Sequence, residues 1–179
     1  MREEIGQEHR YAHCVRVARC AEILALLYAA DSGKARLAGL LHDLARLYAP
    51  ERLLAECAAR GLAIDEAERA APVLLHARLG AALARERFAV TDLEVLSAIE
   101  KHTLGDAEMS PLDCAVYLAD GLEPGRTFAE RAALWELAKC DRTAAMRATL
   151  AATIGYIHAR GLRPAPRALA AARAFGVET

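Results

Sequence analysis

Apolar residues recur every three or four positions through most of this 179-residue chain, and no segment alternates with period two for long enough to predict a strand. Over residues 7–29, for example, Val17, Ala21, Leu24 and Tyr28 form one such stripe. Alanine and leucine dominate the sequence, and aromatic residues make up only 5 % of it, which favours helices over sheets. We therefore predict an all-α fold, a compact helical bundle of about seven to nine helices.

Turn and capping residues divide this pattern into separate helices. One helix is predicted over residues 34–47, and Ser110 followed by proline begins another, "PLDCAVYLADGLE". Thr91 with Glu94 predicts a capping box at the start of "DLEVLSAIEKH". Because no repeat, low-complexity tract or linker interrupts the chain, residues 1–179 are expected to form a single domain.

Composition and charge narrow the possible partners. The formal net charge of −1 gives no basic excess, so general binding to nucleic acid is not expected. The five cysteines are scattered without a C-x-x-C pair, which indicates free thiols in a reducing compartment. The first ten residues are too charged for a signal peptide, and no apolar run approaches the length of a membrane span. We expect a soluble cytoplasmic protein that binds no membrane.

Histidine and aspartate side chains lie on or beside the apolar faces of several predicted helices. These residues are His13, His42, Asp43, His76, His102 and Asp120. A buried carboxylate without a partner costs several kcal/mol, so it must be neutralised or coordinated. Imidazole and carboxylate ligands suit iron, manganese, cobalt or zinc, and helical bundles build such sites from facing helices. The sequence therefore predicts a centre for one or two divalent ions.

The stretch "AGLLHDLAR", residues 38–46, places His42 directly beside Asp43. Neighbouring residues on a helix point about 100° apart, so both side chains cannot occupy one narrow stripe. Near the end of a helix they can straddle one ion. Alternatively, one of them binds the ion while the other reaches a second ion or the substrate.

The order of His13, His42-Asp43 and Asp120 resembles the HD-domain metal-dependent phosphohydrolase superfamily. Longer stretches, among them "LLHARLGA", "AIEKHTLG", "MSPLDCAVYLADGLEPGR" and "GYIHARG", resemble the symmetrical bis(5′-nucleosyl)-tetraphosphatases of the YqeK type over nearly the whole chain. The resemblance implies an all-α HD fold with bound iron or a similar ion. It also implies a hydrolase that uses a metal-activated water to split diadenosine tetraphosphate into two ADP molecules.

The resemblance also implies roles for individual residues. The implied metal ligands are His13, His42, Asp43 and Asp120, and the implied catalytic residues are Asp43, His76 and His102. The implied substrate contacts are Arg10, Arg46, His76, His102, Thr103 and Arg126. His76 and His102 alternatively hold a second ion. Arg46 departs from the family pattern, which usually has lysine there, and its planar fork differs from the point charge of an ammonium group.

Other functions remain open from the sequence. An HD-domain phosphohydrolase acting on mono-, tri- or cyclic nucleotides would share the same metal ligands. A catalytically silent HD module that senses a nucleotide, or a metal-free helical scaffold, would also be all-α. In each enzymatic interpretation the partner is a small nucleotide substrate, and the apolar C-terminal stretch "ALAAARAFG" suggests a possible homodimer.

Overall fold

The structure is a computed structural model that describes residues 7–179. In this range it contains ten α-helices, one 3-10 helix over Pro72–Leu75, and no strand. The α-helices are α1 (Glu8–Leu27), α2 (Ser32–Leu41), α3 (Pro50–Ala59), α4 (Glu66–Ala70), α5 (His76–Phe88), α6 (Leu93–Lys101), α7 (Pro111–Leu122), α8 (Arg131–Cys140), α9 (Arg142–Ala159) and α10 (Pro166–Ala174). The all-α prediction is confirmed. The number of helices exceeds the seven to nine predicted.

The centre of the bundle is formed by four helices, α1, α2, α6 and α7. Helix α1 packs against α2 and α7, and α6 packs against α2, α5 and α7. Leu24, Ile99 and Leu118 are fully buried between them. Within residues 7–179, no helix is both long enough and apolar enough to cross a membrane.

Gly39 allows α2 to approach α1 closely. A Cβ atom at this position would lie 2.7 Å from the Cα atom of Ala18, a backbone atom that cannot move aside independently. The crossing brings His13 of α1 opposite His42 at the end of α2, with their ring centroids 5.2 Å apart. The small residue in α2 therefore sets the distance between two of the candidate ligands.

Helix α2 ends six residues earlier than predicted. The helix expected over residues 34–47 stops at Leu41, where the Nδ1 atom of His42 donates a hydrogen bond to the carbonyl oxygen of Gly39 at 2.7 Å. The chain then continues as turns with shorter-range bonds, such as the Leu44 N–H to the Leu41 carbonyl. A side chain that occupies a helix carbonyl competes with the backbone, which explains the early end.

The predicted caps are partly confirmed. Ser110 and Asp113 form a capping box at the start of α7. The predicted box at Thr91 is wrong, because the cap of α6 is the next residue, Asp92, whose carboxylate accepts the Glu94 N–H at 3.0 Å. An ionised aspartate is a strong N-cap because it also interacts favourably with the positive end of the helix dipole.

Part of the C-terminal apolar stretch, residues 168–176, is buried within this chain. Helix α10 buries Ala168, Ala171 and Ala172 inside this chain. Because alanines recur at helical spacing, their small side chains suit close packing against the bundle as well as an external partner. The possible homodimer therefore remains a prediction.

We predict that Gly39→Ala destabilises the protein. The added methyl group overlaps the α1 backbone, and overpacking of this kind costs about 1–3 kcal/mol, more than the gain in helix propensity. Urea unfolding followed by circular dichroism measures the change. The matched control is Gly155→Ala in α9, where a Cβ atom meets nothing within 4 Å, so stability should rise by about 0.5–1 kcal/mol. Equal effects of the two substitutions would contradict the close approach at Gly39.

Candidate metal centre

Four imidazoles converge in the core from separate helices. His13 comes from α1, His42 follows α2, His76 begins α5 and His102 follows α6. None is more than 4 % exposed, and neighbouring ring centroids lie 4.8–5.2 Å apart. The structure thus gathers into one cluster residues that are up to 89 positions apart in sequence.

Three of these imidazoles are oriented by the same kind of hydrogen bond to the backbone. Each uses its Nδ1 atom to donate a hydrogen bond to the carbonyl oxygen three residues earlier. The pairs are His42 with Gly39 at 2.7 Å, His76 with Val73 at 2.5 Å and His102 with Ile99 at 2.7 Å. A carbonyl can only accept, so the ring proton lies on Nδ1, and in the neutral imidazole Nε2 keeps a free lone pair.

Burial keeps these three rings neutral. It lowers the pKa of His76 to about 3, with a smaller contribution from the neighbouring His102. Burial, together with His102, holds the pKa of His42 well below its usual value, and burial also lowers the pKa of His102. Neutral imidazole is the form that binds metal ions.

His13 is oriented by the carboxylate of Glu123, a residue that was not predicted from the sequence. The buried Glu123 accepts a hydrogen bond from His13 Nδ1 at 3.0 Å and others from Arg16 Nε at 2.5 Å and the Gly125 N–H at 2.6 Å. Burial alone would raise the pKa of Glu123, but these three donors outweigh it and lower the pKa to about 2. The sequence feature that could have pointed to Glu123 is its position three residues after the candidate ligand Asp120.

Asp43 presents its two oxygen atoms to two different pairs of imidazoles. Its Oδ2 atom lies 3.3 Å from His42 Nε2 and 3.6 Å from His13 Nε2. Its Oδ1 atom lies 3.4 Å from His76 Nε2 and 3.9 Å from His102 Nε2. Asp43 is therefore the residue that the whole cluster shares.

Asp120 completes the half of the cluster around His13 and His42. Its Oδ1 atom is 3.1 Å from His13 Nε2 and 3.7 Å from His42 Nε2. Both Nε2 atoms are buried without a hydrogen-bond partner, although carboxylate oxygens lie beside them. Buried polar atoms are rarely left unpaired, because the desolvation cost is not recovered.

The spacing of these donors fits a divalent metal ion. Two ligand atoms about 2.1 Å from one ion and about 90–110° apart lie about 3.0–3.4 Å from each other. Asp120 Oδ1 to His13 Nε2, at 3.1 Å, and Asp43 Oδ2 to His42 Nε2, at 3.3 Å, fall in this range. The cluster of histidine and aspartate donors can therefore hold a divalent metal.

A pocket of about 290 Å³ opens onto the cluster and is lined by three arginines, Arg10, Arg46 and Arg126. Arg10 pairs with Asp43, and Arg126 Nη2 lies 2.5 Å from Asp120 Oδ1. The cationic wall above a set of metal-binding side chains suits an anionic ligand such as a phosphate group.

Thr103 also lines this pocket, and its Oγ1 atom is 3.0 Å from His102 Nε2 and 3.2 Å from His76 Nε2. The structure therefore places every site residue predicted from the sequence in the cluster or at its mouth. The individual roles given to these residues remain predictions.

Comparison with known proteins identifies the family. Residues 10–125, more than half of the chain, match the family described as the HD domain. The chain belongs to the HD-domain family. A solved structure described as a predicted HD superfamily hydrolase involved in NAD metabolism, from Clostridium acetobutylicum, superposes on this HD domain with a TM-score of 0.91 at 33 % identity. The superposition covers 94 % of this chain and 89 % of that one.

Relatives with curated names point to one branch of the HD family. A protein of Halalkalibacterium halodurans named "Bis(5'-nucleosyl)-tetraphosphatase, symmetrical" is 36 % identical over 84 % of this chain and 80 % of its own length. A Bacillus subtilis protein of the same name is 34 % identical over the same shares. The resemblance inferred from the sequence motifs is confirmed.

We predict that Glu123→Gln weakens metal binding by about 10- to 100-fold, the usual effect of losing a partner that orients a metal-binding histidine. The amide keeps the shape but loses the negative charge that fixes the N–H of His13. Titration with a competing metal chelator measures the affinity. Glu136→Gln, on an exposed side chain of α8, is the control and should leave the affinity unchanged. An unaltered affinity in Glu123→Gln would show that this carboxylate does not support the site.

Proposed function

We propose that this chain is a metal-dependent hydrolase that cleaves diadenosine tetraphosphate symmetrically into two ADP molecules. The observation that carries the proposal is the position of the imidazole and carboxylate cluster, at the floor of a pocket lined by three arginines. Metal ligands and phosphate-binding cations thus face the same small space. The names of two relatives, both symmetrical bis(5'-nucleosyl)-tetraphosphatases, favour diadenosine tetraphosphate over other nucleotides as the substrate.

Hydrolysis of a phosphoanhydride needs charge neutralisation, a nucleophile and alignment of the reacting atoms. When bound, a divalent metal supplies Lewis acidity and lowers the pKa of a coordinated water. We assign Asp43 to orienting that water or, where one of its oxygens does not bind metal, to accepting its proton, because both carboxylate oxygens face the centre of the cluster. His76 and Thr103 line the pocket, and Thr103 Oγ1 contacts the Nε2 atoms of both His76 and His102.

We further propose two metal positions that share Asp43. The first would be held by His13, His42, Asp120 and Asp43 Oδ2, and the second by His76, His102 and Asp43 Oδ1.

The contacts of His76 and His102 support the second position. Their Nε2 atoms lie 3.1 Å apart, and the rings are neutral with the proton on Nδ1, so two lone pairs face each other. The Thr103 hydroxyl has a single proton and can donate to only one of them at a time. Iron is the metal we assign first, with manganese, cobalt or zinc as alternatives.

The three arginines would hold the phosphate chain. Arg10 and Arg126 already pair with the carboxylates of Asp43 and Asp120, which keeps their guanidinium groups at the rim of the cluster. Arg46 lines the same pocket, and its charge contributes to lowering the pKa of His76 and of His102, after the larger effect of burial. Arg46 therefore adds positive charge to the pocket.

The direct test is a product assay on diadenosine tetraphosphate with iron or manganese. Symmetrical cleavage yields ADP as the sole nucleotide product, separated by anion-exchange chromatography. Asp43→Asn and His42→Ala should each lower the rate of hydrolysis by more than about 100-fold. Loss of a residue that only orients a metal ligand lowers activity by about 10- to 100-fold, and these two variants change the proposed ligands themselves. AMP together with ATP, or full turnover by both variants, would refute the proposal. A panel of mono-, tri- and cyclic nucleotides serves as the control for the other HD-domain activities.

We predict that Arg46→Ala raises the KM for diadenosine tetraphosphate by about 10- to 150-fold, because a charge-assisted contact contributes about 1.5–3 kcal/mol. The metal content of the protein should not change, since Arg46 lines the pocket and is not one of the proposed metal ligands. Arg36→Ala removes an arginine with a 60 % exposed side chain on α2 and should leave KM unchanged. If Arg46→Ala lost metal while KM stayed constant, Arg46 would be a structural residue of the centre.

A further inference from the structure

An apolar groove adjoins the phosphate pocket. It encloses about 570 Å³ between α4, the loop after α6 and the segment that joins α9 to α10. Leu74 lines both cavities, and Leu104 of the groove directly follows Thr103 of the phosphate pocket. The two cavities therefore meet at Leu74.

The sizes of the cavities show that the substrate must extend beyond the phosphate pocket. That pocket measures about 290 Å³, just below the range of about 300–1,000 Å³ that holds one drug-sized molecule. A dinucleoside tetraphosphate is larger than such a molecule, and the arginines of this pocket suit its phosphates. Its nucleosides must lie elsewhere, and the adjoining groove falls within the range of ligand sites.

We propose that this groove binds one adenosine of the substrate while the phosphate chain lies over the metal centre, an inference that rests on the proposed function. The groove is lined by the aliphatic side chains of Leu74, Leu104, Ile157 and Leu162, which suit the flat face of a base. Leu162 is 60 % exposed, so a bound base would remove its apolar surface from water.

Two charged residues in the groove match the polar edges of a nucleoside. Glu66 and Arg163 both line it. A carboxylate accepts hydrogen bonds from an exocyclic amino group or from ribose hydroxyls, and a guanidinium group stacks on aromatic rings. A small number of polar groups among apolar walls is the usual composition of a nucleotide or cofactor site.

Ion pairs fix both walls of the groove. Arg167 at the start of α10 lies 3.1 Å from the Asp106 carboxylate and 3.4 Å from Glu100, which ties that wall to the end of α6. On the other side, Arg78 Nη1 of α5 lies 3.2 Å from Glu68 of α4. The groove is therefore formed before a ligand arrives, which is typical of small-molecule sites.

The test compares the binding of ADP with that of inorganic pyrophosphate, which carries the phosphates without the nucleoside. Isothermal titration calorimetry is performed on the full chain with the same divalent metal throughout. Wild type should bind ADP more tightly than pyrophosphate. Leu162→Asp should weaken the binding of ADP by about tenfold, the loss expected when one leucine contact is removed. The affinity for pyrophosphate should not change. Leu93→Asp, at a 72 % exposed residue outside both cavities, should change neither affinity.

Equal losses for both ligands, or an unchanged ADP affinity, would overturn the proposal. The second result combined with a shift in size-exclusion chromatography would identify the groove as an interface between copies of this chain. These failures are distinct from failure of the proposed function. Normal ADP production by wild type with no effect of Leu162→Asp overturns the groove alone. AMP and ATP as products, with ADP binding still dependent on Leu162, overturn symmetrical cleavage alone.

Discussion

Hydrogen-bond acceptors are concentrated in one small buried volume of this protein, and few protons lie between them. The Nε2 atoms of His42, His76 and His102 are lone-pair donors, and Asp43 places a carboxylate oxygen beside each of them. Lone pairs and negative charges at 3–4 Å repel one another in a medium of low dielectric constant. Arg10 and Arg126 each pair with one of the two carboxylates, and a cation bound among the Nε2 atoms would remove the repulsion that remains. The arrangement is therefore explained most simply as a metal site.

The rest of the fold holds these acceptors in place. Three imidazoles are oriented by carbonyl oxygens of their own chain segment, whereas His13 is oriented by the carboxylate of Glu123 from α7. A carboxylate behind a metal-binding imidazole increases the basicity of the ring more than a neutral carbonyl does. Arg16 then balances the charge of Glu123.

The sequence predicted those parts of the molecule that depend on residue type and local spacing. Helical periodicity gave the all-α class, and the scarcity of histidine made the placement of His42 and Asp43 conspicuous. The end of α2 was not predictable in this way, because it depends on a bond between the His42 ring and the Gly39 carbonyl. Glu123 was not predicted as a site residue because its partner His13 is 110 positions away, and its position three residues after Asp120 does not by itself indicate a contact with His13.

The most direct test of the metal centre is an anomalous scattering measurement on crystals grown with manganese or iron. The proposed metal centre requires an anomalous peak within about 2.0–2.2 Å of His13 Nε2, His42 Nε2 and an Asp120 oxygen. A map from a metal-containing crystal with no peak among these atoms, and with Asp120 turned away from the two imidazoles, would contradict it.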